Sequence, residues 1–145
     1  MDITISSFLT QDHRNCDDVF AKLENSVAME QWNDCEKIFQ EFSKDLIHHF
    51  EMEENVMFPA FETKTGMQGG PTQVMRMEHS QMKQVLEQMQ KDIAQKDKNH
   101  FFGLSETLMM LMQQHNMKEE QMLYKMADMH LGNEVGSIVE QMKNL

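Results

Sequence analysis

HFEMEENVMFPAF (residues 49–61) and HNMKEEQMLYKMA (residues 115–127) each set a histidine and a glutamate four positions apart within a long helical pattern. On an α-helix those positions share a face. His49 with Glu53, and His115 with Glu119, therefore stand where leucine would fill a core. The surroundings are helical throughout. Gln, Glu, Lys, Met and Leu are abundant, β-branched runs are missing, and 2 prolines and 6 glycines leave long stretches unbroken. The reading is all-α.

Punctuation divides the chain into four long helices, at about 6–29, 31–61, 71–95 and 99–129. Pro59 and the TKTGMQGGP run are expected to end the second, and Pro71 suits the first turn of the third. Gly132 reads as a terminator, with Asn133 capping a short fifth helix. Each long helix carries an apolar stripe of alternating threes and fours. The first is Leu9, His13, Cys16, Phe20, Leu23, Val27, and the third is Met75, His79, Met82, Leu86, Met89, Ile93. The second and fourth are expected to continue past their glutamates through Val56 and Ala60, and through Met122 and Met126.

A repeat of 66 residues carries His13, His49 and Glu53 onto His79, His115 and Glu119 without a gap. Phe20, Phe42 and Leu46 land on Leu86, Leu108 and Met112, and Phe58 lands on Tyr124. Each half reads as a helical hairpin, about 6–61 and 71–129. Together they predict an up-down-up-down antiparallel four-helix bundle, a single domain over 1–145 with a short C-terminal fifth helix. His13 stands 16 residues before the end of its helix and His49 stands 18 residues into the next. At about 1.5 Å per residue the two are nearly level, and the second hairpin gives the same result. All six polar side chains are expected in one layer of the core.

Two buried carboxylates without compensation cost several kcal/mol each, and no Lys or Arg occupies these stripes at that height. A cation is the simplest partner. Imidazole nitrogen with carboxylate oxygen suits iron, manganese or zinc, and two carboxylates from opposite hairpins can each bridge two ions. The candidate ligands are His13, His49, Glu53, His79, His115 and Glu119. His48, His100 and His130 lack a histidine at the repeat position and read as surface residues; Glu54 and Glu120 read as solvated, with Glu120 a substitute ligand. Tyr124 falls opposite Phe58, so packing accounts for both. Cys16 reads as a small core residue and most of the 17 methionines as core filling.

The His near the start of helix one, then HFEMEENVMFPAF, MEHSQM and HNMKEEQMLY, together resemble the hemerythrin-like HHE cation-binding family, over about 12–124. The resemblance implies a non-haem di-iron centre, two iron ions with a bridging oxo or hydroxo group, held by the four His and bridged by the two Glu. Manganese or zinc can substitute. The oxygen carriers of the family have a further His where Lys83 stands, and their last carboxylate is an Asp five residues after its His, where this chain has Glu119 at four and Glu120 at five. Fewer protein ligands leave more open positions on the metal. The expected function is binding of, or reaction with, O2 or NO. The alternatives are a redox enzyme (peroxidase, NO reductase or iron–sulfur repair factor) using peroxide or a redox partner, and an iron or oxygen sensor.

The formal charge of −11 opposes nucleic acid and anionic membrane as partners. No apolar run approaches a membrane span. Two cysteines give no disulfide framework, and the amino terminus shows no basic region followed by an apolar block. The expected location is cytoplasmic.

Overall fold

The computed structural model describes residues 3–145; Met1 and Asp2, with the amino-terminal end of the 1–145 domain reading, lie outside the described residues. Among the described residues there are helices and turns and no strand. Helix α1 spans Ile5–Ala28. It begins in a reciprocal capping box: the Thr4 hydroxyl accepts from the Ser7 backbone N–H at 2.9 Å, and the Ser7 hydroxyl accepts from the Thr4 N–H at 3.0 Å. The Asp128 carboxylate adds a cap from the far end of the chain. It accepts from the Ile5 and Ser6 N–H groups at 2.8 and 3.1 Å, which places a negative charge at the positive helix terminus.

Helix α2, Trp32–Met52, runs through a π-helical turn at Glu53–Met57 into α3, Phe58–Thr65. The same design recurs after α4, Pro71–Gln95. Helix α5, Lys98–Lys118, runs through a π turn at Glu119–Leu123 into α6, Tyr124–Leu131. A single 3-10 turn leads to α7, Val135–Lys143. Four long helical rods thus carry a C-terminal piece. Helix α1 lies along α2, and α4 along α5, with cross-contacts from α2 to α4 and from α1 to α5 and α6.

Two details differ from the expected boundaries. Pro59 does not end its helix. It sits at the start of α3, directly beyond the π turn, and the chain stays helical until Gly66, whose φ of 73° closes the helix in the left-handed region. A proline there lacks the N–H that the π register would aim at the Glu54 carbonyl; the Arg76 guanidinium lies 3.5 Å from that oxygen instead. Asn133 does not cap the last helix, which starts two residues later with no side-chain cap. Gly132 is the expected terminator, at φ 46°.

The stripes also change phase. Beyond Glu53 the buried residues are Met57, Phe58 and Phe61, with Val56 and Ala60 only half-buried. Beyond Glu119 they are Leu123, Tyr124 and Ala127, while Met122 is 62% exposed. Each π turn bonds its N–H groups five residues back rather than four: Phe58 to the Glu53 carbonyl, Tyr124 to that of Glu119. One residue is thereby inserted into the helical count. An uninterrupted 3.6-residue period fails from that point on.

The interior divides in two. One apolar cluster gathers Phe20, Leu23, Phe39, Phe42, Leu86 and Phe101 with their neighbours. The other gathers Leu9, Met57, Phe58, Phe61, Leu123 and Tyr124, and α7 covers it with Ile138, Val139 and Met142. Cys16 and Cys35 are buried and free, and burial, then Asp12, pushes the Cys16 thiol up to about 12. The methionines split: Met52, Met57, Met75, Met82, Met89 and Met112 are buried, whereas Met77, Met110, Met117, Met122 and Met129 are exposed, so core filling explains only part of them.

Candidate metal centre

Between the two apolar clusters lies a layer of polar side chains. His13, His49, Glu53, His79, His115 and Glu119 are all buried, none above 3% exposed. They form two sets. His13 and His49 with Glu53 and Glu119 make the first; His79 and His115 with the same two glutamates make the second. Within each set the candidate ligand atoms lie within 4.8 Å of one another. The structure therefore brings together all six residues expected from the repeat, with both carboxylates shared between the sets.

Each imidazole is held from behind by a second carboxylate. The Nδ1 of His13 faces Glu120 at 2.7 Å, that of His49 faces Asp12 at 2.7 Å, that of His79 faces Glu54 at 2.6 Å, and that of His115 faces Glu78 at 2.8 Å. A carboxylate on Nδ1 places the proton there and leaves the Nε2 lone pair facing the centre. Glu54 and Glu120 are therefore not simply solvated as expected, and Asp12 and Glu78 join them as partners that the sequence reading does not name. The signal was available, since the 66-residue repeat carries Asp12 onto Glu78 and Glu54 onto Glu120. Arg14 further holds Glu120 at 2.9 Å, and Lys118 holds Glu78.

The electrostatics follow from burial opposed by charge. Burial disfavours a charged imidazole at His49, but the Glu53 carboxylate and the Asp12 hydrogen bond outweigh it and raise the group to about 10. At His115 burial is likewise outweighed, here by Glu119, giving about 9. His79 is raised against its burial by Glu53 and Glu54. Glu53 is held well below the usual carboxylate range despite complete burial, chiefly by the charge of His49. Glu54 is lowered chiefly by its hydrogen bond from His79; Glu120 is lowered against its burial by His13 and Arg14. The buried carboxylates thus draw positive charge into the layer, carried as protons on the imidazoles, and a bound cation would take the place of those protons.

Tyr124 enters this layer, contrary to the expectation that packing alone explains it. Its hydroxyl lies 2.6 Å from Glu53 Oε2, 2.9 Å from Glu119 Oε1, 3.1 Å from His13 Nε2 and 3.4 Å from His49 Nε2. Burial, then the charges of Glu119 and Glu53, push its pKa well above the ordinary phenol value. The phase shift of the second π turn brings Tyr124 inward, five residues after Glu119. Phe58 holds the corresponding place in the other half, its ring stacked at 5.8 Å on His79 as Tyr124 stacks at 5.6 Å on His13.

Among the described residues, four buried side-chain polar atoms have no hydrogen-bond partner: Glu53 Oε1, His79 Nε2, His115 Nε2 and Glu119 Oε2. His79 Nε2 is 3.0 Å from Glu53 Oε1 and His115 Nε2 is 3.1 Å from Glu119 Oε1, but neither pair is aligned for a hydrogen bond. Leaving such groups unsatisfied costs about 1–3 kcal/mol each. The two nitrogens belong to the second set, and the two oxygens to the glutamates that both sets share. Imidazole nitrogens and carboxylate oxygens that converge without protein partners are a donor set for a borderline metal ion.

A family model, the hemerythrin HHE cation-binding domain, matches residues 4–127. The chain belongs to that family. Membership makes it a metal-binding protein of a kind associated with iron, and the buried His and Glu sets could hold the metal. A curated relative from Nostoc sp. named DNA nickase is 35% identical over 91 residues, 61% of this chain and 24% of that protein. The aligned part thus spans about a quarter of the relative's length. No solved structure matches. The other histidines stay out of the centre: His48 is half-buried on α2, His130 is exposed, and exposed His100 bonds Asp92 at 2.7 Å. No helix among the described residues is long and apolar enough to cross a membrane.

Proposed function

We propose that this hemerythrin-family chain is a non-haem di-iron protein that binds or reacts with O2 or NO. His13 and His49 would hold one iron and His79 and His115 the other, with Glu53 and Glu119 shared between them. The observation that carries this reading is the pair of donor sets sharing two buried carboxylates, with four atoms among them that have no hydrogen-bond partner. Bound iron supplies redox chemistry and sites for a diatomic ligand. The protein's part is to fix the imidazoles through Asp12, Glu54, Glu78 and Glu120, and to exclude water with the apolar clusters on either side.

The reading extends to the whole chain. The rods run up-down-up-down and antiparallel as one domain, in the cytoplasm, with manganese or zinc as substitute ions. Nicking of DNA is not carried over from the Nostoc relative. The matched part is a quarter of that protein, and a net charge of −11 repels a phosphate backbone.

A second reading, a redox enzyme drawing electrons from a partner, is supported by Lys83. That residue stands where the oxygen carriers have a further histidine, and its charge lowers Glu54 instead of adding a ligand. Metal analysis of the purified protein should find two iron ions per chain. Stopped-flow mixing of the reduced protein with O2 then separates the readings. A stable adduct reversed by removing O2 supports binding, and immediate return to the oxidised form with turnover supports the enzyme. Absence of any bound metal after iron loading would defeat both.

A further inference from the structure

The two donor sets are alike in residue type and unlike in what their atoms already touch. In the first, the Tyr124 hydroxyl lies within 3.4 Å of one atom from each of the four residues. In the second, no hydroxyl plays that part, and His79 Nε2 and His115 Nε2, with one oxygen of each shared glutamate, have no hydrogen-bond partner. The residue 66 positions before Tyr124 is Phe58, which stacks on His79 with no oxygen to offer. We infer that Tyr124 makes the two metal positions unequal: the His79/His115 position fills first, and the His13/His49 position fills second, its ion having to take four donor atoms from the Tyr124 hydroxyl.

The physical argument is one of differential cost. An ion at the second set relieves unsatisfied buried atoms and displaces only the unaligned contacts of His79 with Glu53 and His115 with Glu119, at 3.0 and 3.1 Å. An ion at the first set forfeits a short phenol–carboxylate hydrogen bond, 2.6 Å at Glu53, and further close contacts in a buried site. Hydrogen bonds to charged acceptors are the stronger kind. The shared glutamates join the positions, since the carboxylate oxygens engaged by Tyr124 belong to both bridging residues.

This inference rests on the two-metal reading, and the test keeps the two apart. The full chain, freed of metal by dialysis against a chelator, is titrated calorimetrically with Mn2+ alone. The wild type should show two steps whose affinities differ about tenfold or more. Tyr124→Phe should strengthen the second step towards the first and leave the first unchanged. Phe58→Tyr, which places a hydroxyl at the matching point of the other half, should weaken the first step. Indistinguishable steps in the wild type would overturn the inference while sparing the two-metal reading. So would a second step that Tyr124→Phe weakens, which would make the phenol a ligand, or leaves unmoved. No Mn2+ uptake at all would instead sink the two-metal reading, and the inference with it. Should Tyr124→Phe not fold, Phe58→Tyr decides alone, an unchanged first step counting against the inference.

Discussion

The half from Ile5 to Thr65 and the half from Pro71 to Leu131 share more than their metal-facing residues. Both break their second rod with a π turn that begins at the central glutamate. Both back their imidazoles with acids in the same pattern: Asp12 and Glu78 serve the histidine of their own half, while Glu54 and Glu120 reach across to the other. They differ at one oxygen, the hydroxyl of Tyr124 against the bare ring of Phe58. Away from the centre the correspondence fades, for Arg14 braces Glu120 and Lys118 braces Glu78 with no repeat counterparts. The repeat is kept where side chains meet the centre and lost where they meet solvent.

The most severe break of this symmetry is removal of a shared carboxylate. Glu53→Ala and Glu119→Ala should each strip both positions, taking metal content well below two ions per chain, as measured by elemental analysis. Loss of one ion only would show that the sets are independent. Next in size are paired cuts in the apolar layers. Phe42→Ala and Leu108→Ala occupy matching, fully buried places and should cost about 3–5 and about 2–5 kcal/mol in denaturant unfolding. A cost in one half alone would mean that the halves do not share that cluster.

Smaller effects test the supporting acids. Asp12→Asn, Glu78→Gln, Glu54→Gln and Glu120→Gln should each weaken metal binding by about 10–100-fold, with similar values inside each repeat pair. His48→Ala should leave it unchanged. The smallest effect lies outside the repeat, at the α4–α5 turn. Asp92 raises the pKa of exposed His100 above its ordinary value through their hydrogen bond. A raised folded-state value means that the stabilisation is complete below the unfolded value, about 6.5, and is lost as pH rises through the folded value. Asp92→Asn should flatten that part of the stability–pH curve, followed by thermal unfolding.

Much of this was legible in one chain of letters. The helical rods follow from unbroken strong helix formers, and the six central residues from a polar break in each stripe at a constant 66-residue offset. The π turns were not legible. A change of hydrogen-bond register leaves no mark in composition, and the stripe written through Val56 and Met122 continued a period that the backbone abandons at Glu53 and Glu119. Tyr124 was lost for the same reason, because its inward direction depends on the inserted residue. The backing acids could have been found. Asp12 with Glu78, and Glu54 with Glu120, obey the same offset as the histidines they hold.

The layered interior acts as a sieve. The centre has hydrocarbon above and below, and at one side a groove lined by Arg14, Phe20, Met112, Asn116 and Glu120 reaches the acid that holds His13. Oil dissolves small neutral molecules and turns away ions, and a ring of carboxylates repels anions. Under the two-metal reading, such surroundings would admit a small uncharged molecule more readily than nitrite or superoxide, and selection would begin before any donor atom is touched.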